Sequence, residues 1–85
     1  EMVRRERPRL VLGLARLGFR VWPSEANFVL AKSPTPTRGL LARLRKRGIL
    51  LKDVGHVPGL ANCVRVTVGP ARVTRRFLST LEEVM

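Results

Sequence analysis

Among the side chains capable of chemistry, Arg65 is set apart by its neighbours. It lies in the run Cys63-Val64-Arg65-Val66-Thr67-Val68, whose alternation predicts a strand with Val64, Val66 and Val68 on one side and Cys63, Arg65 and Thr67 on the other. If the valines face a core, Arg65 stands on the bare side of the sheet. A guanidinium held there on a rigid strand offers a planar fork of donors suited to a carboxylate or a phosphate. The commoner use of such an arginine is plain solvation. Other candidates are poorer. His56 sits in a glycine-rich loop without the second ligand a metal needs, so a solvated histidine is expected. Cys63 has no base partner in the sequence and reads as a free thiol on the sheet face beside Arg65, not as a nucleophile.

The elements that would position Arg65 follow from periodicity and punctuation. Leu10, Leu14 and Leu17, with Val3 before them, mark an amphipathic helix over residues 2–17. Pro8 either opens its stable part or kinks a longer helix, and Gly18 follows as a left-handed cap. Residues 19–22 read as extended, and Pro23 with Ser24 stops them. Residues 27–31 read as a short strand, with Asn27 and Phe28 in structural roles. Thr35 and Pro36 then suit the N-cap and first position of a second helix, whose buried stripe is Leu40, Leu41 and Leu44 and whose end is Gly48. A second strand is expected over 49–52 and an irregular loop over 53–62. After the strand bearing Arg65, Gly69-Pro70 opens a last helix with the stripe Val73, Phe77, Leu81 and Val84. Glu82 and Glu83 sit near its C-terminus, the unfavourable end for acids. The expected architecture is α+β, a two-layer sandwich. Three helices cover one face of a small mixed, mostly antiparallel sheet.

Composition narrows the function classes. The 85 residues carry 17 Lys and Arg against 6 Asp and Glu, a net charge of +11. The length allows one domain, residues 1–85, and a domain this small is marginal without a partner. With 45% hydrophobic and 27% charged residues the chain is a folded domain, not a disordered tail. No apolar run nears the roughly 20 residues of a membrane span. A single cysteine excludes an internal disulfide framework, and no signal peptide is evident, so a cytoplasmic setting is expected. The basicity invites a nucleic-acid reading. Yet only Lys32, Lys46 and Lys52 are lysines, and the arginines are spread over all three helices. Phe19, Trp22, Phe28 and Phe77 each sit in an apolar run that a core would claim, which leaves no stacking platform. Nucleic-acid binding is disfavoured.

Several runs, taken in order, carry a family resemblance. They are Pro23-Ser24-Glu25-Ala26-Asn27-Phe28-Val29-Leu30, Arg47-Gly48-Ile49-Leu50-Leu51-Lys52-Asp53, Pro58-Gly59-Leu60 and Val64-Arg65-Val66-Thr67-Val68-Gly69. Over nearly the whole chain they resemble the C-terminal small domain of the fold-type I pyridoxal-phosphate aminotransferases. The nearest group is that of histidinol-phosphate aminotransferase, an enzyme of histidine biosynthesis, with a threonine-phosphate decarboxylase among its relatives. The resemblance implies a unit that caps the active site of a larger catalytic domain. It assigns the cofactor's lysine to that large domain, and Lys32, Lys46 and Lys52 do not match the lysine's motif. It thus implies no catalytic or cofactor-binding residue in this chain, and no activity for the chain alone, with pyridoxal phosphate serving the complete enzyme. By the same resemblance Arg65 corresponds to the arginine that grips the substrate's anionic group. Lys52 falls where phosphate-substrate members place a second arginine, just before the Asp kept as Asp53. A lysine can pair with phosphate but cannot form a bidentate fork. A further departure is the helix start Pro70-Ala71-Arg72-Val73, where relatives carry an acidic one.

The expected partners are an aminotransferase large domain, an anionic amino-acid or amino-phosphate substrate in the complete enzyme, and a second copy of the protein. Without its large domain, the leucine stripe of the first helix is expected to drive self-association against the repulsion of two chains of +11. Glu1, standing where a complete chain has methionine, suggests a piece of a longer protein. The alternatives are a subunit assembling with a separately encoded large domain, and a stand-alone basic module that binds RNA or protein on this fold.

Overall fold

The computed structural model describes residues 2–85, and Glu1 lies outside the described residues. The chain runs α1 (Met2–Arg16), β1 (Arg20–Val21), β2 (Phe28–Lys32), α2 (Thr37–Lys46), β3 (Lys52–Asp53), β4 (Cys63–Thr67) and α3 (Ala71–Val84). Pro8 lies inside α1. Its missing N–H removes a rung of the ladder without dividing the helix. The first two helices end on the same device. Gly18 and Gly48 adopt φ of 91° and 81°, and the amides of Phe19 and Ile49 return to the carbonyls of Leu14 and Leu44, each at 3.0 Å. Only a residue without Cβ enters that left-handed turn freely.

The start of α2 departs from expectation. The Thr35 hydroxyl does not cap it; it lies 3.4 Å from Ser33 Oγ. The cap comes from Asn62, whose Oδ1 accepts the Thr37 N–H at 3.2 Å and the Thr37 hydroxyl at 3.4 Å. Asn62 holds a φ of 62° to do so, a conformation that asparagine tolerates better than most residues.

The sheet order is β1-β2-β4-β3 and every pair is antiparallel. The expected mixed, mostly antiparallel sheet is wholly antiparallel among the described residues. Part of the extended 19–22 segment joins as a fourth strand, with Arg20 opposite Lys32 and Val21 opposite Ala31. The strand expected over 49–52 contracts to β3. Ile49 is spent closing α2, Leu50 is 77% exposed, and pairing begins only where Lys52 meets Arg65.

All three helices pack on one face. Val29 lies opposite Val66 and Ala31 opposite Val64, and this patch is sealed by Leu10, Leu14, Leu40, Leu44, Phe77 and Leu81. Leu10 and Leu14 are each 1% exposed, so the stripe expected to drive self-association is already buried within the chain. On α3 the buried position is Thr74, not Val73, which is half exposed. The Thr74 hydroxyl is accommodated there by donating to the Gly69 carbonyl at 3.4 Å. The acidic C-terminus of α3 is compensated from α2. Arg43 Nε donates to the Val84 carbonyl at 2.9 Å, and Arg47 pairs with Glu83 at 3.2 Å, supplying the positive charge that a helix end favours. Glu6 of α1 is buried, with one carboxylate oxygen 3.4 Å from Arg9 and the other unpartnered among the described residues. No described helix is long and apolar enough to cross a membrane.

Candidate anion site on the open sheet face

The face turned away from the helices collects positive charge. In β4, Val64 and Val66 are buried while Arg65 and Thr67 are exposed. Antiparallel register sets Arg65 directly between Leu30 on one side and Lys52 on the other. Residues directly opposite in such a ladder project to the same side, so Arg65 and Lys52 share the open face. At the other end of this face Arg20 lies opposite Lys32, a second cationic pair. Among the described residues neither Arg65 nor Lys52 makes an ion pair. Like charges directly opposite one another oppose folding, and an anion between them would remove that penalty.

Two aromatic residues also lie on this side. Arg65 lies over the Phe28 ring with its Cζ 4.8 Å from the centroid, and Arg20 lies over Trp22 at 5.2 Å. The core claims Phe19 and Phe77 but leaves Trp22 and Phe28 half-buried. The rings that would serve as a base-stacking platform are thus already faced by the chain's own guanidiniums. The loop before Phe28 is tied down at several points. Arg7 of α1 donates from Nε to the Ala26 carbonyl at 3.0 Å and from Nη2 to the Glu25 carbonyl at 2.9 Å. Ser24 Oγ donates to the Phe28 carbonyl at 2.8 Å and accepts the Ala26 N–H at 3.1 Å.

Beside Arg65, the 48–51 segment, β4 and the start of α3 enclose a cleft of about 550 Å³. Its walls mix Leu50, Val73 and Phe77 with Arg65, Arg72 and Arg76, and neither a lysine nor a carboxylate lines it. Arginine and hydrocarbon therefore dominate this cleft.

The structure brings the two sequence-predicted site residues together and sets the other candidates apart. His56 is exposed in its loop, and no group of three His, Cys, Asp or Glu side chains that could hold a metal occurs among the described residues. Cys63 shares the side of Arg65 by alternation but is fully buried, with its thiol 3.7 Å from the Ala61 carbonyl. The expected face-exposed thiol is corrected. The 53–62 loop folds back over that end of β4, and the Cys63 N–H is taken by Leu60. Sequence reasoning missed the contact of Phe28 with Arg65, because it depends on the register of two strands distant in the chain. The Arg20 and Lys32 pairing was missed for the same reason.

Comparison with known proteins gives the site its context. The family model described as aminotransferase class I and II matches residues 1–81. The histidinol-phosphate aminotransferase of Aquifex aeolicus is 38% identical over 80 residues, covering 93% of this chain and 23% of the relative. In solved structures, the histidinol-phosphate aminotransferase from Clostridium acetobutylicum superposes with a TM-score of 0.88 at 29% identity, over 98% of this chain and 26% of its own. That from Sinorhizobium meliloti, solved in complex with pyridoxal-5'-phosphate, gives 0.85 at 26% identity, over 98% of this chain and 23% of its own. The chain spans about a quarter of the length of the relatives it matches.

Proposed function

The chain belongs to the class I and II aminotransferases, and we propose that it is the C-terminal small domain of a larger cytoplasmic pyridoxal-phosphate enzyme in which Arg65 and Lys52 hold the anionic group of the substrate. The observation that carries this reading is the direct opposition of two uncompensated cations on the open face. Arg65 supplies the fork, able to engage two oxygens at once, and Lys52 adds a mobile point charge. A phosphate, approaching two negative charges near neutral pH, gains more from such a pair than a carboxylate does. Relatives named as histidinol-phosphate aminotransferases support an amino-phosphate substrate, and the complete enzyme is read as a homo-oligomer.

The residues of this chain do not fit the cofactor. Lys32, Lys46 and Lys52 are all exposed, and the cleft beside Arg65 offers neither a lysine to bond the cofactor nor an acid to pair with its ring nitrogen. On this reading the remaining three quarters of the protein hold the cofactor. The part left to this chain is to bind the substrate's anion and orient the rest of the molecule toward that domain.

The test uses the full-length protein and histidinol phosphate as substrate. Arg65→Ala is expected to lower kcat/KM by about 2–5 kcal/mol, roughly thirtyfold to several thousandfold, if the anion is desolvated when bound. Lys52→Ala is expected to lower it less. Unchanged kinetics for Arg65→Ala would return that residue to solvation on a bare sheet face.

A further inference from the structure

We infer that Phe28 is the positioning residue of the anion site: its ring orients the Arg65 guanidinium without consuming any of the donors that the anion needs. The inference rests on the reading of Arg65 as the anion-gripping residue and adds a component that the sequence had assigned to structure alone. Phe28 opens β2 opposite Thr67, while Arg65 lies opposite Leu30. The two are therefore diagonal neighbours on one face, within reach of an aromatic and a long side chain. The 4.8 Å separation of guanidinium and ring centroid lies inside the roughly 6 Å at which a cation is held by the ring's negative face.

What matters is what the ring takes from the guanidinium. Among the described residues the Arg65 side chain makes no hydrogen bond or ion pair, so the Phe28 ring is the contact that restrains its head group. A carboxylate would also hold it, but would take its N–H groups and cancel its charge. A ring attracts the cation through its π face and takes up none of its N–H groups as a carboxylate would, so the five donors stay available to an anion. Lys52 has no such support, which makes the pair asymmetric. Arg65 sets the geometry of the bound anion and Lys52 follows it.

The backbone that carries the ring is itself tied down. The Val68 N–H donates to the Asn27 carbonyl at 2.8 Å, and Ser24 and Arg7 fasten the preceding residues. An aromatic on a loose loop would only follow the guanidinium, whereas one tied to both α1 and β4 can restrain it.

The test follows the Arg65 Nε–H signal by NMR in the 85-residue chain, together with the amides of Leu30 and Lys52, during titration with inorganic phosphate. In the native chain the Arg65 signal should be displaced upfield by the ring. Phe28→Leu keeps an apolar side chain at the position, and it should abolish that displacement and weaken phosphate binding by roughly three- to tenfold. Phe28→Tyr keeps the ring face and should preserve both. If Arg65→Ala removes phosphate binding at these amides while Phe28→Leu leaves the affinity unchanged, the positioning role is overturned and the anion site stands. If Arg65→Ala leaves phosphate binding unchanged, the anion site itself fails. Should Phe28→Leu unfold the chain, the native upfield displacement and the Phe28→Tyr affinity still decide: an undisplaced Arg65 signal, or a Tyr variant that binds as weakly as Arg65→Ala, overturns the inference.

Discussion

Val66 and Arg65 are neighbours on one strand and belong to different kinds of surface. Val66 faces the helices and joins the core cluster they form with the sheet. The cross-strand partner is Val29, the lid is leucine and phenylalanine, and exposure falls to 4%. Arg65 faces the other way, beside a second cation and over a ring, with no carboxylate to answer its charge. The covered face is largely buried by this chain's own helices, and the open face is left bare. On the proposed reading of the chain as one domain of a larger enzyme, this difference locates what the other part would bring. Packing is settled internally, and charge is settled by whatever binds.

The largest expected effect belongs to the covered face. Leu81 is 0% exposed against the sheet, and Leu81→Ala removes buried methyl groups from a close-packed site. The expected destabilisation is about 2–5 kcal/mol by denaturant unfolding, enough to unfold much of a domain of marginal stability. A loss under 1 kcal/mol would mean that the helices sit loosely on the sheet and that the contrast between the faces is smaller than drawn.

A middle-sized effect is expected at Asn62, which joins the two regions at their rim. Asn62→Gly keeps the positive φ and loses the side-chain cap of α2, costing about 1 kcal/mol. Asn62→Ala loses the cap and strains the backbone, costing about 2–3 kcal/mol. The difference between the two variants, measured by chemical unfolding, isolates the backbone term. Equal losses would show that the left-handed conformation carries no cost there.

These residues also show where the sequence was legible. Alternation across Val64, Arg65 and Val66 announced the two faces, because a period of two is visible without knowing the partner strand. The leucines of α1 and α2 announced their helices, and Gly18 and Gly48 their ends, for the same local reason. Asn62 was illegible as a cap because its target lies 25 residues away; Thr35 satisfied the local rule and was still not used. The two-residue β1 offered no alternation to see. The 49–52 segment looked like a strand from its apolar run, but its first residue closes a helix instead. Arg65 was visible as an odd residue, whereas the ring beneath it required the register of β2 against β4.

The smallest effect is the one that separates the two faces most clearly, because its sign should reverse. A buried covered-face residue loses stability when it is replaced, whereas Lys52 opposes Arg65 directly and its removal relieves repulsion. Lys52→Glu should therefore raise the stability of the chain by roughly 0.2–1 kcal/mol, the range for a cross-strand charge pair changed from like to unlike. The same substitution should abolish phosphate binding, since the anion would now meet a carboxylate. Salt supplies the control. Added salt screens exposed charges over about 10 Å at 0.1 M, so it should stabilise the native pair and destabilise the Lys52→Glu pair, narrowing the gap between them. If Lys52→Glu instead destabilises the chain at low salt, Lys52 and Arg65 are not opposed on the open face in solution, and the anion site loses its physical basis.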